Sequence, residues 1–230
     1  MKKAVSALIL AALCAAATAK PYTPADMGSI LTPSNLNLEA ADAAVSNLGQ
    51  FAGGYPTRFD NAADQQEGLG DARALIKLYT GMIETKIITP KHPAYRHVLL
   101  QLARLNSMAH NMDERGAAEQ ADRRYRQLIA LESGQAKAAL QEEYGRFLTF
   151  SNQPAAALPV LRQAIKSGNT QARRTLGLAL LTQGKQTEAE TELRAYLRQV
   201  PQDSEIKALL EAIHGKGSYQ IRQNTLPPAQ

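Results

Sequence analysis

Four histidines, one close pair of glycines and a few adjacent carboxylates are the residues whose types could do chemistry in this chain. His92, His97, His110 and His214 could each carry a proton or ligate a metal. None lies in an HExxH pair or at a ligand spacing from cysteine or aspartate. His92 and His97 flank a turn and a helix start, where solvent-facing or capping roles are expected. Gly68-Leu69-Gly70 could begin a phosphate cradle, but no strand precedes it and the third glycine is missing. There is no GxSxG elbow and no GxxxxGK[ST] loop. Glu142-Glu143 and Asp113-Glu114 have the type needed for acid–base work, yet both fall on helix edges or turns, where solvation accounts for them. The reading is a non-enzyme with no catalytic residue, no cofactor and no metal.

The N-terminus carries a different signal. Lys2 and Lys3 are followed by an apolar run from Ala4 to Ala16 and by Ala17-Thr18-Ala19, a small-x-small cleavage pattern. Residues 1–19 therefore read as a signal peptide removed after Ala19, and the chain as exported to the periplasm of a Gram-negative bacterium. The apolar run is shorter than the ~20 residues of a spanning helix. The only cysteine, Cys14, follows Leu13 rather than the small residue a lipidation signal needs, so membrane attachment is expected only if Cys14 is lipidated. Without residues 1–19 no thiol remains for a disulfide or a metal site. The net charge of +5 falls to +3 with the loss of Lys2 and Lys3. The densest basic spots, Arg123-Arg124 with Arg126 and Arg173-Arg174, lie on helical patterns and read as solvated faces, so nucleic acid is not an expected partner.

The elements that would position any site are helices. Residues 20–35 hold three prolines and no periodicity, which predicts an extended linker. Leu38, Ala41, Val45 and Leu48 share one face of a helix from Leu36 to Phe51, with Ser34 or Asn35 as cap and Gly53-Gly54 as stop. Tyr55 and Phe59 are expected to tuck against the first helices. Asp60 or Asn61 caps a second helix running to about Thr85, with Leu75, Leu78, Tyr79 and Met82 inward. Residues 36–90 form an N-terminal helical region. Pro93 suits a helix first turn, and from 91 onward the chain alternates helix and short turn, with no strand candidate. Residues 215–230 lose periodicity and read as a disordered tail.

Three stretches within 91–214 repeat one another. Counted from Thr170, Leu176, Gly177, Leu180, Gly184, Ala189, Leu193, Tyr196 and Pro201 set large, small and turn residues at fixed offsets. Counted from Ala138, Tyr144, Gly145, Leu148, Asn152, Ala157, Leu161 and Ala164 do the same; from Leu102 the set is Met108, Ala109, Met112, Gly116, Ala121, Tyr125 and Leu128. The spacings of 36 and 32 residues bracket the 34 of the tetratricopeptide repeat, which this pattern resembles. Ile206, Leu209, Leu210 and Ile213 then form a helix from about Asp203 to Ile213 that covers the open end of the last unit.

The resemblance implies an all-α fold, an α-α superhelix of antiparallel helix pairs with an N-terminal helical cap. It also implies a concave groove lined by the first helix of each unit, at Ala103, Asn106, His110 and Asp113; at Ala139, Glu142, Arg146 and Thr149; and at Gln171, Arg174, Leu178 and Leu181. The candidate protein-binding residues are Asn106, His110, Glu142, Arg146, Thr149, Gln171, Arg174 and Leu178. Arg146 and Arg174 offer planar donors for a carboxylate or a peptide main chain. The expected role is an adaptor that docks a protein or extended segment in envelope assembly of pili, secretion machinery or cell wall. A peptidoglycan- or glycan-associated helical module and an accessory subunit of an envelope enzyme are the other readings. With 5% aromatic residues and no Trp, sugar stacking has little to work with.

Overall fold

The computed structural model describes residues 21–32, 35–215 and 219–225, and the proposed signal peptide with Cys14 lies outside them. Among these residues ten helices follow in chain order: α1 Met27–Ile30, α2 Leu38–Ala52, α3 Ala62–Glu84, α4 Tyr95–Asn111, α5 Ala117–Leu131, α6 Gly134–Phe150, α7 Pro154–Lys166, α8 Gln171–Thr182, α9 Gln186–Leu197 and α10 Ser204–His214. Among the described residues there is no strand, only an isolated bridge between Leu31 and Leu36. The fold is an all-α solenoid of antiparallel helix pairs, α4/α5, α6/α7 and α8/α9, each packed on the next, with α10 against α9.

The repeat residues make this packing possible. A Cβ on Gly145 would sit 2.4 Å from Leu161 Cδ2, and one on Gly177 2.5 Å from Leu193 Cδ2. A glycine at each of these places lets a leucine of the second helix lie against the backbone of the first. Ala121, Ala157 and Ala189, the small residues of the second helices, are fully buried. Burying Leu161, Leu176 and Leu193 completes each contact at about 1.5–3 kcal/mol per side chain. Asp203 caps α10 by accepting from Ile206 N at 3.0 Å, so the end helix begins where the sequence places it.

The N-terminal pair is built differently. Asn61 caps α3 through Asp64 N, but the cap of α2 is Asn37, which accepts from Ala40 N, rather than Asn35. A cap works only where the chain is already turning into the helix, and Leu36 is still paired with Leu31 in an isolated bridge. Pro93 lies just ahead of α4 rather than in its first turn. Phe59 stacks on Phe51 at 5.4 Å, and Tyr22 meets both edge-on. A Cβ on Gly68 would reach Phe59 at 2.6 Å, so this glycine makes room for the aromatic wedge between α2 and α3. Tyr55 does not join the wedge.

Two expectations are corrected here. The stretch from 20 to 35 is not a free linker over its described part: Tyr22 and Ile30 are buried in the N-terminal core. Tyr22 donates its hydroxyl to Asp71 and Ala25 its N–H to the same carboxylate, both at 2.7 Å. Nor is the tail without contacts, since Ile221 packs on the C-terminal core and Asn224 is 2% exposed. Its anchors are helix-end carbonyls, which periodicity does not display. The α4/α5 pair contributes to both cores, with Leu102 and Leu128 in the first and Ala103 and Tyr125 in the second.

Candidate functional site

A cleft crosses the inner face where α2, α4 and α6 converge. Ser46 and Gly49 of α2, Arg104, Ser107 and Met108 of α4, and Glu143 and Arg146 of α6 line it. It continues past Gly53, Gly54, Tyr55, Asn111 and Phe150 in one direction. Beyond Arg146 in the other direction lie Glu142, Gln171, Arg174, Thr175, Tyr196 and Asp203. Arg146 borders all three sections.

Helix spacing explains this arrangement. Gln101, Arg104, Met108 and Asn111 recur at three- and four-residue steps and share one face of α4. Glu143, Arg146 and Phe150 do so on α6. α6 lies directly beside α8 and α2 beside α4, but α4 and α6 make no comparable backbone approach. Their junction is filled by Tyr125 stacked on Tyr144 at 5.5 Å and tilted on Phe147 at 5.8 Å, with His110 edge-on to Phe147. These large rings prop the two helices apart and open the cleft.

Charge in the cleft is mostly neutralised internally. Arg104 grips Glu143 with two hydrogen bonds of 2.8 and 2.9 Å, and the Tyr125 hydroxyl donates to the same carboxylate at 3.0 Å. Burial alone would push the Glu143 carboxyl up. The hydrogen bond and charge of Arg104, the Tyr125 hydroxyl and the nearby charge of Arg146 outweigh it and hold the carboxyl below its usual range. Arg174 bridges Asp203 at 3.1 Å and Glu205 at 2.7 Å, so its guanidinium is occupied by α10. Arg146 is exposed and, among the described residues, makes no hydrogen bond or ion pair within 4 Å. Its guanidinium stands ready for a carboxylate or carbonyl oxygens.

The structure therefore sorts the expected groove residues. Glu142, Arg146, Gln171 and Arg174 border one depression, with Glu142 accepting the Thr175 hydroxyl at 2.7 Å. Leu178 is half-buried nearby on α8. Asn106, His110 and Thr149 do not face the groove: they are 6%, 2% and 0% exposed. Asn106 turns back on Leu102 O at 2.7 Å, and Thr149 on Gly145 O at 2.8 Å. The carried-over positions assume a regular pitch, whereas on α4 it is Arg104 and Ser107 that line the cleft instead.

Glu143 was expected to be merely solvated, and the ion pair with Arg104 overturns that. Nothing in the sequence links the two, because they stand 39 residues apart on different helices. His97 is likewise more than a solvent-facing residue: its Nε2 lies 2.9 Å from Asp42 Oδ1, which also accepts from Tyr79 and Gln101. His92 does act at the turn, its Nδ1 accepting from Ala94 N at 3.1 Å. In the basic spots Arg126 pairs with Asp122 and Arg173 with Glu192, while Arg124 donates to the Gln127 side chain at 3.4 Å.

Among the described residues no three His, Cys, Asp or Glu side chains gather as a metal site, and no helix is long and apolar enough to cross a membrane. Residues 148–213 match the family model described as Tetratricopeptide repeat. This stretch runs from the end of α6 to α10 and contains the Leu161, Gly177, Ala189 and Leu193 contacts. No curated protein and no solved structure matches the chain. Repeats of this family generally mediate protein–protein interactions.

Proposed function

We propose that this protein is a non-catalytic adaptor of the bacterial envelope that holds an extended protein segment in the cleft between α2, α4, α6 and α8. One observation carries the reading: the unpaired guanidinium of Arg146 at the point where the sections of the cleft meet. Around it stand Ser107 and Gln171, polar side chains suited to a main chain, and Phe150, an apolar surface for a side chain. A segment with an acidic residue placed on Arg146 fits this arrangement. The N-terminal pattern of residues 1–19 supports export to the periplasm, and assembly of pili, secretion machinery or cell wall is the setting such an adaptor serves.

The test is capture from envelope extract by wild-type protein and by Arg146→Glu. The charge reversal weakens capture of the bound protein by about tenfold or more, the cost of losing a charged hydrogen bond. An unchanged set of captured proteins rules out the cleft. Intact mass of the exported form checks the rest: cleavage after Ala19 is expected, whereas a lipidated N-terminal Cys14 places the protein on a membrane.

A further inference from the structure

The ends of α4 and α6 form a second surface, and the chain itself fills it. The last four carbonyls of a helix have no partner within the helix. At the end of α4, Asp113 N–H donates to His110 O and Glu114 N–H to Ala109 O; at the end of α8, Gly184 N–H donates to Leu181 O and Lys185 N–H to Leu180 O. These are paired closing bonds of the Schellman type. At the end of α6 only one of the pair forms, Gln153 N–H to Leu148 O. Among the described residues the corresponding bond from Asn152 N–H to Thr149 O is missing.

Residues 219–225 supply what is lacking. Gln223 Nε2 donates to Thr149 O at 2.7 Å, and Asn224 N–H to Phe150 O at 2.7 Å. Asn224 Nδ2 reaches across to α4, donating to His110 O at 2.6 Å and to Asp113 Oδ1 at 3.3 Å. Asn224 is 2% exposed, while Tyr219, Gln220 and Arg222 face outward. Three residues earlier, Ile221 packs on the C-terminal core. The segment spans the α4–α6 junction, where the helices are propped apart.

We infer that this edge is a recognition surface for an extended segment of the pattern Ile-x-Gln-Asn, and that the protein's own residues 219–225 occupy it in cis. Specificity comes from donor chemistry. The surface offers helix-end carbonyls and the Asp113 carboxylate, so it selects amide side chains and rejects carboxylates at the Asn224 place. A tethered segment meets its site at an effective concentration on the order of millimolar, so weak intrinsic affinity suffices in cis. An outside segment of the same pattern must displace the tail. This holds whatever the cleft around Arg146 takes.

The experiment uses the full chain and a synthetic peptide, Tyr-Gln-Ile-Arg-Gln-Asn-Thr, matching residues 219–225. In wild type, the Asn224 amide should exchange with deuterium at least tenfold more slowly than those of Tyr219 and Gln220; equal rates would overturn the inference. In the full-length Ile221→Glu/Asn224→Asp variant the tail is released, and NMR signals of Asp113, Ser151 and Asn152 shift. Adding millimolar peptide should return them toward their wild-type positions. Wild type should respond at least tenfold more weakly, and a peptide with Asp in the Asn224 place not at all. Failure of the peptide to act on a variant with native helical circular dichroism, or an equal response from both peptides, would overturn it. Concentration-dependent dimers of wild type would replace cis occupancy with exchange between copies.

Discussion

Gly177 shows how little room one side chain has here. Adding a single methyl places a carbon 2.5 Å from Leu193, and Leu193 is enclosed on all sides. Gly177→Ala should lower stability by about 1–3 kcal/mol through overpacking, and Leu193→Ala by about 2–5 kcal/mol through the cavity it leaves. Thermal melts read both, and a neutral Gly177→Ala would mean the helices stand further apart. His110 makes a second prediction at this scale. Burial lowers its pKa against the opposing charges of Asp113 and Glu119, so the folded protein binds fewer protons than the unfolded chain as pH drops past the unfolded value of about 6.5. Its contribution to stability is fully present above that value and is lost on acidification. The melting temperature of wild type should fall from pH 7.5 to 5.5 by more than that of His110→Leu. The glycine–leucine notches were legible in the sequence because the family pattern fixes residue size at fixed offsets. The burial of His110 was not, because it depends on a contact with Phe147 across the α4–α6 junction.

At the scale of elements, irregular segments on either side of the helices are fastened onto them. Asp71 is buried and holds Tyr22 and Ala25, tying the start of the described chain to α3. Removing that carboxylate with Asp71→Ala leaves two donors unmet at about 1–3 kcal/mol each. Limited proteolysis should then cut within residues 21–32 before any other site. At the far end, Arg174 ties α8 to α10 through Asp203 and Glu205. The pair is partly open to solvent, so Arg174→Glu should cost about 1 kcal/mol and expose α10 to protease without altering α4 or α6. Helix number and order in the repeats were legible from three- and four-residue periodicity. The packing of residues 21–32 and 219–225 was not, since short irregular segments bind through single polar anchors and leave no periodic trace.

The whole molecule is two cores joined through the α4/α5 pair, with aromatic rings propping α4 from α6. The sequence indicated stacked helical pairs, and Arg146 lies where the sections of the cleft meet. The groove residues expected on α4, Asn106 and His110, are buried, because carrying positions from one unit to the next presumes equal units. Unequal spacings of 36 and 32 residues and the bulk of Tyr125, Tyr144 and Phe147 break that equality. The resulting opening exposes Ser107 beside Arg146 while the helix backbones on either side remain closely packed. A photo-crosslinking side chain at Ser107 therefore probes the cleft most directly. In cells expressing the full chain, Ser107 should form a crosslink to an extended segment of a protein partner. Arg146→Glu should abolish it, and the same probe at Gln163, on the exposed face of α7, should not form it. Crosslinking from Gln163 but not from Ser107, or a Ser107 crosslink indifferent to Arg146→Glu, would contradict the account.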